Sequence, residues 1–273
     1  MAGRLMGKRG FTLIEIILVI MLLGLLSGIA VTFMKPAINT YKFEATRKEM
    51  VAIKKAILGD PEIISNGART SFGYVGDMGG LPPDTADNKL GDELAIKGSQ
   101  PAWTYDETNM IGYGWNGPYI KDDFVKEDSE DFNFKYDAWG NDYVYSDDDY
   151  TNENGESVDG KLLSYGPDKA SGGGDDLTIE ILKSETIATV IVHVQDSEKN
   201  PIPNAKVTIY YPDGSGSLNS PFENTNASGD SEFNSVPFGI RSLYITAVGY
   251  SDKRCWIYVD KNEVREIIYL SSS

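Results

Sequence analysis

From Phe11 to Met34 the chain is almost unbroken apolar sequence, and Glu15 is its only charge. As a helix, 24 residues span roughly 36 Å, enough to cross the hydrocarbon core of a bilayer. Arg4, Lys8 and Arg9 precede the run, and residues 1–10 hold no acid. That flank keeps the start cytoplasmic and sends the remainder outward. A carboxylate inside such a segment is expensive unless partnered, so Glu15 reads as a functional group. An amino group freed by cleavage just before Phe11 would be a natural partner. An ordinary signal peptide should end in a small-residue cleavage site, and Ser27-Gly28-Ile29-Ala30 is a poor one, followed by more apolar residues.

The stretch Lys8-Arg9-Gly10-Phe11-Thr12-Leu13-Ile14-Glu15 closely resembles the class III leader and first mature residues of type IV pilins and type II secretion pseudopilins. The resemblance implies a membrane prepilin peptidase that cuts after Gly10 and methylates the new amine of Phe11. It also implies that Glu15 neutralises a neighbouring subunit's amine during assembly on an inner-membrane platform. The partners it implies are copies of this chain and related pilin-like subunits.

Beyond the apolar run, Ile38, Tyr41, Ala45, Met50, Ile53 and Ile57 recur at helical separations among charged residues. One helix is therefore expected from Phe11 to about Leu58, amphipathic in its second half, with Gly59-Asp60-Pro61 as its stop. Pro36 lacks an N–H and crowds the preceding turn, so a bend or local melting is expected there.

Residues 61–185 are rich in Gly, Asp, Asn, Tyr and Trp, which suits a head of short strands and substantial loops. Asn66 to Leu81 carries too many flexible residues for a long helix and is expected as a structural loop. Asp137-Ala138-Trp139-Gly140-Asn141 reads as a turn feeding a strand on which Tyr143 and Tyr145 share one face. The segments Gly117-Pro118-Tyr119, Asp137 to Asn141 and Leu162-Leu163-Ser164-Tyr165-Gly166-Pro167-Asp168 are similar to segments of the major pseudopilin of type II secretion. A Gly-rich loop with Asp168, Asp175 and Asp176 offers hard oxygen ligands that suit calcium better than zinc. The same resemblance implies that these acids contribute to a structural calcium site. The acidic run from Asp147 to Glu156 lacks EF-hand spacing and is expected as a solvated loop.

At Thr186 the composition changes. The last 88 residues hold 10 acids and 7 basic residues, and β-branched alternation becomes frequent. Strands are expected at Thr189–Val194, Lys206–Tyr211, Ser231–Phe233, Ser242–Val248, Arg254–Val259 and Val264–Leu270, separated by turn residues, as in a β-sandwich. Asn200-Pro201-Ile202-Pro203-Asn204-Ala205-Lys206-Val207, Val236-Pro237-Phe238-Gly239 and Val248-Gly249-Tyr250 resemble carboxypeptidase regulatory-like, or transthyretin-like, domains, which are usually noncatalytic. The lone Cys255 is expected as buried apolar filler.

Net charge excludes one class of partner. The chain carries -16, and Lys121 to Asp176 holds 17 acids against 5 basic residues, whereas phosphate backbones need clustered Lys and Arg. No nucleic acid is expected, and no catalytic residue: Ser164 sits in no nucleophile elbow, and the single His193 lacks a local acid and reads as structural. The expected fold class is α+β, a long N-terminal transmembrane helix with a pilin-like head followed by an all-β sandwich. Its parts are a leader (1–10), an assembly helix (11–60), a head (61–185) and a sandwich (186–273). The expected function is a structural subunit of a type II secretion pseudopilus. A surface type IV pilus subunit is the first alternative, and a non-polymerising membrane-anchored binding protein the second. Before assembly the subunit would sit in the bacterial inner membrane with a periplasmic head, and afterwards in a periplasmic or extracellular filament.

Overall fold

The computed structural model describes residues 11–85, 87, 89–121 and 132–273, with residues 28–33 described in backbone only. The leader residues Arg4, Lys8, Arg9 and Gly10 lie outside the described residues. The chain divides into two compact units, Met1–Ala45 and Thr46–Ser273.

Helix α1 (Leu13–Leu58) is helical through Pro36, so the expected melting there does not occur. One missing N–H removes a single rung from a 46-residue ladder, and the Thr40 hydroxyl donates back to the Pro36 carbonyl at 3.0 Å. Over residues 11–27 the apolar side chains are bare: Phe11 is 80% exposed and Leu13 77%. A membrane-spanning helix is the expectation here, yet among the described residues no helix is long and apolar enough to cross a membrane. Described apolar side chains run from Leu13 to Leu26, about 21 Å of helix, against a hydrocarbon core of about 30 Å.

In the second unit the end of α1 turns Thr46, Met50, Ile53 and Ile57 inward, spaced four, three and four residues apart, and all are buried. The helix stops where expected, at Gly59, whose φ of +80° is left-handed and whose N–H caps the Lys55 carbonyl at 2.7 Å. A short ribbon, β1 (Ile64–Ser65) and β2 (Ala68–Arg69), follows, and then a six-residue helix, α2 (Gly73–Met78), inside the segment expected as loop. Next come β3 (Thr104–Asp106) paired with β4 (Ile111–Tyr113), then β5 (Val144–Ser146), β6 (Tyr150–Thr151), β7 (Ser157–Ser164) and β8 (Leu177–Leu182). Strand β7 is the hub of this last antiparallel sheet, pairing with β5, β6 and β8. Tyr143, Tyr145, Leu162 and Ile181 close over the α1 stripe together with Tyr74 and Met78 of α2, forming the head core.

The sandwich follows the alternation read from the sequence. Its larger sheet holds β10 (Lys206–Pro212), β11 (Leu218–Asn219), β12 (Phe222–Asn224), β14 (Gly239–Thr246) and β15 (Lys253–Val259). Its smaller sheet is β13 (Asp230–Pro237), β9 (Ile187–Asp196) and β16 (Glu263–Leu270), with β16 parallel to β9. Ala188, Val190, Val192 and Val194 recur at every second position of β9 and face the core with Val207, Ile209, Leu243 and Ile257. Cys255 is half-buried against that core, where burial pushes its thiol pKa up. His193 lies opposite Asp230 in the β9–β13 register, its Nδ1 2.7 Å from Asp230 Oδ1.

Head and sandwich share material. Phe72, just before α2, is buried within the sandwich core, and the Arg69 guanidinium lies over its ring at 4.9 Å. From the sandwich side, Arg241 is fully buried and donates to the carbonyls of Gly76 at 2.9 Å, Pro237 at 2.9 Å and Phe238 at 2.5 Å. Burial pushes the Arg241 pKa down, opposed first by the negative charge of Asp77. A backbone bond from Gly214 N–H to the Met78 carbonyl at 2.9 Å adds a further tie.

Candidate functional site

Two groups of residues carry the functional expectations: the helix start and the acidic turn. At the start, Thr12 and Glu15 form reciprocal contacts. The Thr12 N–H and hydroxyl donate to Glu15 Oε2 at 3.3 and 3.5 Å, while the Glu15 N–H donates to Thr12 Oγ1 at 3.4 Å. This is capping-box geometry, in which residues three apart satisfy each other's orphan donors at a helix N-terminus. The Thr12-x-x-Glu15 spacing carries this capping signal in the sequence alongside the charge of Glu15. The carboxylate is also exposed, and it can reach a positive group outside its own chain only by giving up part of this cap. Phe11 is exposed and precedes the helix, while Gly10 lies outside the described residues.

The acidic turn follows β7. A short 3-10 turn, Gly166–Asp168, leads into the glycine-rich loop. Asp168 Oδ1 accepts from the Ala170 N–H at 2.8 Å, Asp175 Oδ2 from the Asp168 N–H at 3.3 Å, and Asp176 Oδ2 from the Gly172 N–H at 2.8 Å. The structure brings Asp168 and Asp175 together over Gly173: a Cβ there would meet Asp168 Oδ2 and, at 2.5 Å, Asp175 Oδ1. Asp176 turns its second oxygen, Oδ1, into a buried position without a hydrogen-bond partner. Among the described residues no group of three or more His, Cys, Asp or Glu is gathered tightly enough to hold a metal ion. The donor set is hard oxygen, the type calcium prefers, but only Asp168 and Asp175 are brought together, and Asp176 Oδ1 is buried without a partner.

What holds this turn in place was missed in the sequence. Asp137 is buried and accepts four hydrogen bonds. The N–H groups of Trp139 and Asn141 reach Oδ1 at 2.9 Å each, and the Asn141 amide and Ser164 hydroxyl reach Oδ2 at 2.9 and 2.6 Å. Asn141 also donates to the Gly166 carbonyl at 2.9 Å, and the Gly166 N–H donates to Ser164 Oγ at 3.2 Å. The Asp-x-Trp-Gly-Asn turn thus clasps the Ser-x-Gly-x-Asp turn from which the acidic loop departs. On the other side, the Ala138 N–H donates to Thr46 Oγ1 of α1 at 3.1 Å. Both turns were legible as turns; their mutual clasp depends on residues more than twenty positions apart. The expected solvated run is anchored as well, since Asp149 pairs with Lys183 at 2.9 Å.

Comparison with known proteins bears on the first group. Residues 5–31 match the prokaryotic N-terminal methylation motif. The amino terminus of the chain therefore carries a prokaryotic N-terminal methylation motif. The match spans Gly10, Phe11 and Glu15 together and ends within α1, before the head and sandwich begin. A search of curated proteins finds no match to the chain.

Solved structures similar in part include the group B streptococcus pilus 2b backbone protein, with 10% identity over 45% of this chain and 52% of that one and a TM-score of 0.30. BcpA, the major pilin subunit of Bacillus cereus, gives 12% identity over 46% and 41%, with a TM-score of 0.29. Acinetobacter radioresistens catechol 1,2 dioxygenase gives 12% identity over 33% and 54%, with a TM-score of 0.27. The matched parts span about half or less of those chains, and the scores are too low to carry an argument.

Proposed function

We propose that this chain is a structural subunit of a pilin-like filament, cut after Gly10, methylated on Phe11 and held before assembly in the inner membrane with its remainder outside the cytoplasm. The observation that carries the reading is the methylation motif over residues 5–31, joined to a helix whose described apolar side chains from Leu13 to Leu26 are bare. Bare apolar surface of this extent needs a lipid or protein cover, and lateral packing of identical helices replaces the first by the second. In that packing Glu15 exchanges its weak cap to Thr12 for the amine of a neighbouring Phe11. A type II secretion pseudopilus is the preferred assembly, because the turns at Asp137 and Ser164 resemble those of its major subunit; a type IV pilus displaying the sandwich is the alternative.

The test is assembly of Glu15→Ala in the producing bacterium. The variant should enter the membrane and be processed, yet yield few filaments; wild-type yield would refute the ionic register. Shearing intact cells distinguishes the two assemblies, because a pseudopilus stays in the envelope fraction and a pilus is released.

We also propose that calcium binds the acidic turn, through Asp168 and Asp175 above Gly173 and the orphaned Oδ1 of Asp176. Bound calcium would neutralise converging carboxylates and fix the loop, and metal that binds only the folded state raises stability by linkage. Thermal unfolding in calcium, magnesium and chelator at matched ionic strength should show saturable stabilisation by calcium alone, weakened in Asp176→Ala. Equal unfolding in all three would remove calcium from the account.

A further inference from the structure

Between the β3–β4 hairpin of the head and the outer face of β15 lies a cleft of about 640 Å³, open to solvent and unused by the assembly reading. Its size is that of a small-ligand site, on the order of 300–1,000 Å³. Four aromatic side chains form its rims. From the head, Trp103 and Tyr105 stack with centroids 6.5 Å apart and planes 26° apart. From the sandwich, Trp256 and Tyr258 stand two positions apart on β15, on the face away from the buried Ile257 and Val259. All four are partly exposed, between 39% and 53%, although rings of this size normally find cover.

The rims are preformed. The Trp256 indole N–H donates to the Met110 carbonyl at 2.6 Å, which fixes the plane of a ring from the sandwich against the head. Trp103 lies over Gly112, where an added Cβ would come within 2.7 Å of the indole, so the glycine makes the room that the ring occupies. At the floor, Asp77 is mostly buried and accepts from the Tyr119 hydroxyl at 3.1 Å, and the Asn116 N–H donates to that hydroxyl at 2.9 Å. The cleft therefore offers flat aromatic faces at the entrance and a planar carboxylate, an amide and a phenol beneath.

We propose that this cleft binds a neutral saccharide chain. Sugar rings present a face of C–H groups that packs on the electron-rich face of Trp or Tyr, and an edge of hydroxyls that needs paired donors and acceptors. Rims and floor supply the two in that order. Other ligand chemistries fit less well. A chain of net charge -16 repels phosphates and nucleotides. An acyl chain would set hydrocarbon against Asp77, Asn116 and Tyr119, whose polar atoms suit a hydroxylated ligand better. A cation would find aromatic faces, but Asp77 is already balanced by Arg241, and Lys55 lines the same cleft. Among the described residues Asp77 is the only carboxylate lining the cleft, so the proposal is one of binding, since glycosidic cleavage uses a pair. The proposal is independent of filament assembly: it concerns residues 55–258, and its failure would leave the methylation reading untouched.

The full chain, purified in a detergent without a sugar headgroup, should be titrated with hexasaccharides of β-1,4-glucose, β-1,4-N-acetylglucosamine, β-1,4-mannose and α-1,4-glucose. Tetramethylammonium and a proline-rich peptide serve as competitors of other chemistry. Calorimetry and tryptophan fluorescence should give saturable binding of at least one hexasaccharide. Affinity should fall about tenfold or more in Trp256→Ala and in Tyr258→Ala, since each removes one stacking face. Because both side chains are partly exposed, their thermal unfolding should stay near wild type; Trp256→Phe, which keeps a face, should retain most of the affinity. The proposal is overturned if none of the four sugars binds, if binding survives both alanine variants, or if only the cation or the peptide binds.

Discussion

Residues 11–27 leave their apolar side chains bare, whereas residues 46–273 gather two buried apolar cores that interlock through Phe72 and Arg241. The two regions are joined by one continuous helix and differ only in which residues surround its apolar positions. In the first the stripe runs all round the helix, so no single neighbour could cover it. In the second it narrows to Thr46, Met50, Ile53 and Ile57, and one head core suffices. A helix apolar on every side is built for an environment, and one apolar on a single side is built for a partner.

The sharpest way to break this comparison is to attack the interlock on the globular side. Phe72→Ala removes a buried ring from the sandwich core and should cost about 3–4 kcal/mol. Melting should then begin in one part of residues 46–273 before the other, where the wild type gives one transition; an unchanged single transition would contradict the interlock. By the same logic, an excised Thr186–Ser273 fragment lacks both Phe72 and the Gly76 carbonyl that receives Arg241. It should fold less stably than the same residues in the whole chain, as the midpoint of chemical denaturation would show.

The clasp beneath the acidic turn comes next. Asp137→Ala strands four donors and should destabilise by about 2–3 kcal/mol, and Ser164→Ala, which removes one, by about 1 kcal/mol. Amide exchange of residues 166–176 should accelerate in both variants; unchanged exchange would mean the turn stands without its clasp.

The smallest effect is a dependence on pH. Burial pushes the Asp77 pKa up from 3.8 to about 6, offset in part by the Tyr119 hydroxyl and the Arg241 charge. The folded state therefore holds this proton more tightly than the unfolded one between those values. Stability from Asp77 is complete below the unfolded pKa and is lost as pH rises through about 6. Going from pH 7 to pH 5 should add about 1 kcal/mol, and Asp77→Asn should remove that part of the slope. A slope identical in wild type and Asp77→Asn would place the titration elsewhere.

How much of this was legible follows from the range of the interactions. The helix, its stop at Gly59 and the sandwich strands were legible because 3.6-residue and two-residue periods are local patterns, and β9 displays the second over ten residues. The head was legible only as turns and a Tyr143/Tyr145 strand. Its strands are two or three residues long except β7 and β8, too short for a period to declare itself. The contact of Arg241 with Gly76, and the four rings around the cleft, join residues more than a hundred positions apart. Asp137 looked like any other turn aspartate until Ser164 reached it. At the helix start the sequence pointed to Gly10, Phe11 and Glu15, while the capping partner Thr12 went unnoticed between them.

The central claim is that the bare helix belongs to a processed subunit, and mass spectrometry of the amino-terminal peptide from assembled filaments tests it most directly. The account predicts a chain that begins at Phe11 and carries one N-methyl group, with Gly10→Leu leaving the leader attached and filaments absent. Filaments built from chains that retain Met1, or that begin at an unmodified residue beyond Phe11, would contradict it.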